Sequence, residues 1–243
     1  MSSIERVLVA IPTYNERDNL PRIVPQVLEV DPRVHVLVID DGSPDGTGDL
    51  ADELAATGGG RVHVLHRTAK EGLGRAYVAG FRWGLDAGYD AICEMDADLS
   101  HRPEDLSRVL AALEDHDVVI GSRYVGGRVN VVNWPLSRLL ISLSGSLYAR
   151  VITGLPVRDA TGGFNCFRAD VLRKIDLDDI QSNGYTFQVE LKLRAWRNGA
   201  RITEVPIVFV EPESGESKMS KAIVREAVWK VWKLRLMDLF GRL

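Results

Sequence analysis

Apolar runs and polar exits alternate with a regular beat along the first half of the chain. Residues 7–11 are unbroken apolar, a polar stretch from Pro12 follows, and apolar positions recur at helical spacing over 20–30. Asp18 and Asn19 are cap candidates for that helix, and Pro25 inside it is expected to bend it. A second run, 34–39, ends in DDGSPDGT at 40–47, a cluster of turn formers, after which Leu50, Leu54 and Ala55 resume helical spacing. A third strand is expected over 61–66 and a helix to about residue 87. A buried strand over 91–95, a helix over 103–115 and a strand beginning near Asp117 continue the series. Strands and helices joined by short connections predict an α/β fold: a mostly parallel sheet with helices on both faces.

Beyond Tyr124 the pattern changes. Gly126 and Gly127 lead to an apolar, serine-spotted helix over about 135–153, then a strand over 163–168 and a helix over 186–198. Residues 201–210 read as a strand interrupted by Pro206, which predicts an edge position or a bend. A last helix is expected over about 222–240. Its Glu226, Lys230 and Lys233 form a narrow charged stripe, while Trp229, Trp232 and aliphatic residues cover most of the rest. Such a face packs either on the sheet or against lipid or a membrane partner. No second domain is marked by composition or linker, so residues 1–243 are expected to form one domain.

The 243 residues are 45% hydrophobic and 26% charged, ordinary for a globular chain able to bury a core. A formal net charge of −4 argues against general nucleic-acid binding. Cys93 and Cys166 lie in apolar runs without zinc-site spacing and read as reduced core residues of a cytoplasmic protein. Residues 1–6 are too short and polar for a secretory signal, and the uncharged stretch between Arg138 and Arg150 is well short of a bilayer span, so no membrane crossing is expected.

The chemistry gathers where strands end. Asp96 and Asp98, in CEMDADLSHRP at 93–103, leave a buried strand just before a helix start. Ligands of open parallel sheets collect at the carboxyl ends of strands, and Mg²⁺ or Mn²⁺ takes one or two carboxylates together with substrate phosphates. Alternatively, Asp98 or Ser100 satisfies amides of the loop and helix start. Asp40 and Asp41 stand where an acid meets a nucleotide's ribose or base, or where an Asx-type turn forms. Gly72 and Gly74 begin a glycine-rich pattern, but Tyr77 stands where GxGxxG needs its third glycine, and no Walker sequence exists. The five histidines are scattered, and His101 beside the acids is not read as a ligand. Arg123, Arg138 and Lys218 are candidate phosphate-binding cations. Arg138 stands on a helix with few other charges and calls for an anionic partner.

Taken together, these residues resemble the dolichyl or polyprenyl phosphate mannosyltransferases of the inverting glycosyltransferase family 2, which have the GT-A fold. The resemblance runs through PTYNE (12–16), DDGSPDGT (40–47), GLGRAY (72–77), MDADLSH (95–101), GSRY (121–124), NWP (133–135), ATGGF (160–164), GYTFQVE (184–190) and GESKMS (215–220). It implies transfer of mannose from GDP-mannose to a polyprenyl monophosphate lipid, with inversion. It divides the chain into a nucleotide-sugar half, 1–124, and an acceptor half, 125–243, with membrane-facing helices. By the resemblance Pro12, Tyr14, Glu16, Ile39 and Asp41 hold guanosine. Asp96, Ala97 and Asp98 meet the diphosphate and an Mg²⁺ or Mn²⁺ ion, with Ser100 offering a further oxygen. Arg123 and Arg138 receive the acceptor phosphate, and Lys218 closes over the donor. Asp98, Arg123 and Lys218 are then the catalytic candidates. The implied location is cytoplasmic, peripheral on the inner face of the plasma membrane, against lipid or a membrane-protein partner. Two departures stand out: Ser100 replaces a common Gln, and Pro212 replaces an Arg. A UDP-glucose-dependent glucosyltransferase and a non-catalytic nucleotide-sugar-binding protein are the alternatives. The loop over 210–220 is expected to order when donor and metal bind.

Overall fold

The alternation of Val7, Val9 and Ile11 with Leu8 and Ala10 sends apolar side chains to both faces of the first strand, which requires helices above and below it. The computed structural model describes residues 3–126, 129–180, 182–211, 221–241 and 243, with the side chains of 221–227 outside that description. In chain order the elements are β1 (Val7–Thr13), α1 (Leu20–Val30), β2 (Val34–Asp40), α2 (Thr47–Thr57), β3 (Val62–His66), α3 (Leu73–Asp86), β4 (Ala91–Glu94), α4 (Asp105–Leu113) and β5 (Val118–Ser122). They continue with β6 (Val131–Val132), α5 (Leu136–Thr153), β7 (Asn165–Arg168), α6 (Ala169–Leu172), α7 (Tyr185–Arg197), β8 (Ile202–Pro206), β9 (Phe209–Val210) and α8 (Lys221–Leu239). The expected mostly parallel α/β architecture is present.

Seven strands form one sheet in the order β3-β2-β1-β4-β7-β5-β8. Leu20, Ile23, Val24 and Val27 of α1 and Leu106, Val109 and Leu110 of α4 cover one face. Ala76, Tyr77 and Phe81 of α3 and Phe187, Leu191 and Leu193 of α7 cover the other. Strand order reverses between β1 and β4, and the crevice beyond the carboxyl ends at such a switch point is where this class of sheet binds ligands. β8 lies at the sheet edge and ends at Pro206, as the proline predicts.

β7 runs antiparallel between β4 and β5. The chain between β5 and β7 therefore leaves and re-enters the sheet at the carboxyl ends, and everything it carries is built onto that end. Cys93 and Cys166 are register partners across β4 and β7, and the structure places a disulfide between them. This corrects the reading of them as reduced: 73 residues apart in sequence, they become neighbours because β7 inserts beside β4.

The strands β6 and β9 pair in parallel as a separate two-stranded ribbon that the sequence pattern did not reveal. Phe209 also bridges to His101, and the Val210 amide donates to the Ser100 carbonyl (3.1 Å), so the ribbon clamps the Asp96–Asp98 loop. No helix among the described residues is long and apolar enough to cross a membrane.

Candidate active site

The crevice is built on the carboxyl ends of four strands, β1, β2, β4 and β5. At the end of β1 and β2 the two adjacent aspartates separate in role. Asp40 is the turn residue: its carboxylate accepts from the Ser43 hydroxyl (2.5 Å), the Ser43 amide (3.2 Å) and the Thr13 hydroxyl (3.3 Å). Asp45 holds the next turn by accepting from the Thr47 amide (3.0 Å) and hydroxyl (2.6 Å). Asp41 instead faces Arg67, its ion-pair partner, whose other terminal nitrogen meets Glu71 at 2.6 Å. Burial raises the Asp41 pKa, opposed by Arg67.

Tyr14 is exposed, with the Lys70 ammonium 3.8 Å from its ring centre. Pro12 is half-buried in the same exit. Glu16 is fixed locally: its amide donates to Thr47 and its carboxylate accepts from Asn19 (2.7 Å). The Ile39 side chain is fully buried and packs under Gly80 of α3, where an added Cβ would lie 2.5 Å from Ile39 Cδ1. That side chain does not line the crevice.

At the end of β4, Ala97 is buried while Asp96 and Asp98 are partly open. Leu99 takes a positive φ of 61°, a turn that lets Asp98 accept from the Ser100 amide at 3.0 Å. The Asp96 side chain keeps 36% exposure. Burial raises its pKa; His101 opposes the rise and Asp98 adds to it. The Tyr77 hydroxyl stands 3.5 Å from Asp96 Oδ1. His101 is buried, stacks on Phe164, and accepts the Asp96 amide at Nδ1 (3.2 Å). That nitrogen is therefore occupied, and His101 acts as a brace for the loop.

No group of three or more His, Cys, Asp or Glu suited to a metal occurs among the described residues. What the loop offers is two carboxylates and the buried Ser100 hydroxyl oxygen, which has no hydrogen-bond partner among the described residues. Hard oxygen donors too few to complete a shell fit a Mg²⁺- or Mn²⁺-sized ion that also takes substrate phosphate.

At the end of β5, Arg123 is almost fully buried. Asp159 accepts its Nε (2.7 Å), Nη2 (2.6 Å) and backbone amide (3.0 Å), and Thr161 Oγ1 accepts Nη2 at 3.1 Å. Burial opposes the Arg123 charge, and Asp159 outweighs it and raises the pKa; the same pairing lowers that of Asp159. Arg138, on α5, finds the anionic partner its position calls for in Glu211 at 2.8 Å. The Trp134 ring lies between the two arginines, 5.6 Å from the Arg123 guanidinium and 4.3 Å from that of Arg138. Lys218, Pro212 and most of the loop expected to close over the donor lie outside the described residues.

Sequence reading missed Arg67, Asp159, Thr161 and Trp134 as site residues. Trp134 and Thr161 sat inside the NWP and ATGGF segments, which were the available signal. Arg67 and Asp159 carried none, since their partners lie 26 and 36 residues away.

A sheet with its crevice at the switch point and an Asp-x-Asp loop at one strand exit defines a protein of the GT-A type. Solved structures agree on the fold. Glucosyl-3-phosphoglycerate synthase from Mycobacterium tuberculosis, in complex with Mn²⁺, UDP and glucosyl-3-phosphoglycerate, superposes with a TM-score of 0.65 over 96% of this chain and 79% of that one, at 16% identity. The glycosyl transferase family 2 model matches residues 8–176, and the chain belongs to that family. Among curated proteins it is 55% identical to the polyprenol monophosphomannose synthase of Mycolicibacterium smegmatis, over 95% of this chain and 88% of that one. It is 58% identical to the undecaprenyl-phosphate mannosyltransferase of Micrococcus luteus, over 93% and 92%.

Proposed function

We propose that this protein transfers mannose from GDP-mannose to the phosphate of a polyprenyl monophosphate, with inversion at the anomeric carbon. The observation that carries the reading is identity above one half, over nearly the whole chain, to two proteins named for mannosyl transfer to polyprenyl phosphate. The site supplies groups suited to each part of that reaction.

Tyr14, Asp41 and the backbone around Pro12, Glu16 and Ile39 form the guanosine end, with Arg67 holding Asp41 in place. Asp96, Asp98 and the Ser100 oxygen hold a divalent cation with the donor diphosphate; bound there, it supplies positive charge against the leaving GDP. Arg123 and Arg138, on either side of Trp134, hold the acceptor phosphate, and Glu211 yields Arg138 to it. A phosphate monoester is already anionic at neutral pH, so its oxygen attacks with little need of a base. The bond from that oxygen to the anomeric carbon forms as the bond from the carbon to the diphosphate breaks. Asp98 orients the acceptor, and Lys218, assigned by resemblance, neutralises the departing diphosphate.

The acceptor half is the lipid-facing half. On α5, Leu136 and Val151 are 69% and 71% exposed, and at the end of the chain Trp229 and Phe240 are 72% and 74% exposed, while Val231 and Leu234 pack inward. Tryptophans beside Lys230 and Lys233 suit a membrane interface, here the inner face of the plasma membrane with the protein peripheral on it. Flotation with anionic liposomes checks this: the protein is expected in the lipid fraction, and its retention in the soluble fraction contradicts direct contact.

The function is tested by a panel of labelled sugar nucleotides offered with polyprenyl monophosphate and Mg²⁺ or Mn²⁺. Label is expected in lipid from GDP-mannose. Preferential use of UDP-glucose, or GDP binding without turnover, rejects the reading.

A further inference from the structure

Behind the crevice lies a buried polar residue that the reaction does not call on directly. Lys192, on α7, has no exposed surface, and its ammonium donates to three backbone carbonyls of one short segment: Asp159 (3.2 Å), Ala160 (3.2 Å) and Gly162 (2.7 Å). An ammonium has three protons, and this segment offers an acceptor for each. Burying that charge is costly unless its bonds are met, and an apolar residue in its place would take the lysine donor from the Asp159 and Ala160 carbonyls and leave the Gly162 carbonyl with the Asn165 side-chain amide at 3.1 Å. Burial lowers the Lys192 pKa, with Asp159 and Glu94 opposing the drop.

The same segment grips Arg123. Asp159 takes three of its donors, and Thr161 takes Nη2 while sharing a hydrogen bond with Ser146 of α5 at 3.1 Å. Gly162 lets the segment fold back closely, because a Cβ there would lie 3.1 to 3.2 Å from the Asp159 carboxylate, tight enough that the carboxylate would have to shift. From the far side, the amides of Arg158 and Asp159 donate to Glu204 of β8 at 2.6 and 2.9 Å. The segment is thus held from α7, from β8 and from α5, and the direction of the Arg123 guanidinium follows from its pose.

We propose that Lys192 is a positioning residue for the transfer reaction: its ammonium fixes the 159–162 segment, and through Asp159 and Thr161 that segment aims Arg123 at the acceptor phosphate. The inference rests on the acceptor role proposed above for Arg123. Misplacing a substrate-holding group by about 1 Å costs up to about a hundredfold in rate, so the effect falls on acceptor use and leaves the guanosine end untouched.

The test measures KM for polyprenyl phosphate, kcat, GDP affinity and thermal stability in Lys192→Met, Lys192→Gln and Asp159→Asn. Lys192→Met is expected to raise the acceptor KM roughly tenfold with GDP affinity unchanged, the lower part of the range for a misplaced binding group. Lys192→Gln, which keeps two donors without the charge, is expected to recover part of that loss. Adding Asp159→Asn to Lys192→Met is expected to cost less than the product of the two single effects. An acceptor KM unchanged in folded Lys192→Met, or equal losses at acceptor and GDP, overturns the inference. Should Lys192→Met fail to fold, Thr161→Val, which leaves the lysine's bonds intact, must itself raise the acceptor KM, and an unchanged value overturns it. Wild-type protein with no affinity for polyprenyl phosphate rejects the functional reading and the inference together; wild-type affinity that Lys192→Met retains in full rejects the inference alone.

Discussion

The two ends of the sheet carry polar clusters of similar size and opposite character. At the amino ends, the Tyr89 hydroxyl lies 2.9 Å from His35 Nδ1 and 3.0 Å from His63 Nε2, while the Arg6 guanidinium covers the Tyr89 ring at 4.3 Å. Asp90 accepts the amides of Glu5 and Arg6 at 2.9 Å each. These groups satisfy one another. At the carboxyl ends, Asp96 stays partly open, the Ser100 hydroxyl has no partner among the described residues, and Arg138, stacked on Trp134, is paired with a carboxylate that an anion can displace. The difference is between polar groups that satisfy one another and polar groups left open, although both sets flank apolar strands in sequence.

The largest expected effect falls on the open end. Asp96→Ala and Asp98→Ala are each expected to abolish measurable transfer, as is chelation of divalent metal, while the thermal midpoint stays near that of wild type. An assay with Mg²⁺ or Mn²⁺ in which either variant kept near-normal rates would break the assignment. Next comes Lys218→Ala, expected to cost about 2 to 4 kcal/mol of transition-state stabilisation, the range for removing one electrostatic stabiliser. Steady-state rates with saturating acceptor measure it, and a normal rate contradicts the role.

The closed end predicts the reverse profile. Tyr89→Phe removes the hydroxyl between two imidazoles and is expected to cost about 1 to 2 kcal/mol of stability with activity retained. Denaturant unfolding and the transfer assay, run on the same sample, check both halves. The smallest effect is one of pH. Burial, then Arg6, hold His35 and His63 below their ordinary value of 6.5, so between that value and their lower folded values the unfolded chain binds more protons. Their contribution is present in full above about pH 6.5 and is lost as pH falls toward the folded values. His63→Gln should therefore show a shallower fall in stability on acidification than wild type, and an identical slope would contradict the assignment.

Much of the first half was legible because its strands are buried on both faces and its helices on one. The run at 34–39 and the spacing over 20–30 could be little else, and α1 has the expected bounds. Which aspartate of the Asp40–Asp41 pair would face the crevice was not legible, since it depends on Arg67 arriving from the end of β3. The second half was harder for a physical reason. β6 and β9 are two residues each, too short to show a period, and β7 pairs antiparallel with strands far off in sequence. The partners of Arg123 and of Cys93 follow from that insertion, so neither the Asp159 ion pair nor the disulfide had a local signal. The Asp-x-Asp loop was legible as a motif, but its bracing by His101 and by the β6–β9 ribbon was not.

The most direct test of the account is the anomeric configuration of the product. Wild-type protein is incubated with GDP-mannose, polyprenyl monophosphate and Mg²⁺ or Mn²⁺, and the lipid is analysed by NMR at the anomeric position. A donor held by Asp41 and the Asp96–Asp98 loop, attacked in line by a phosphate held at Arg123 and Arg138, must give a β-linked mannosyl phosphate from the α-linked donor. An α-linked product, or no mannosyl lipid at all, would contradict the account.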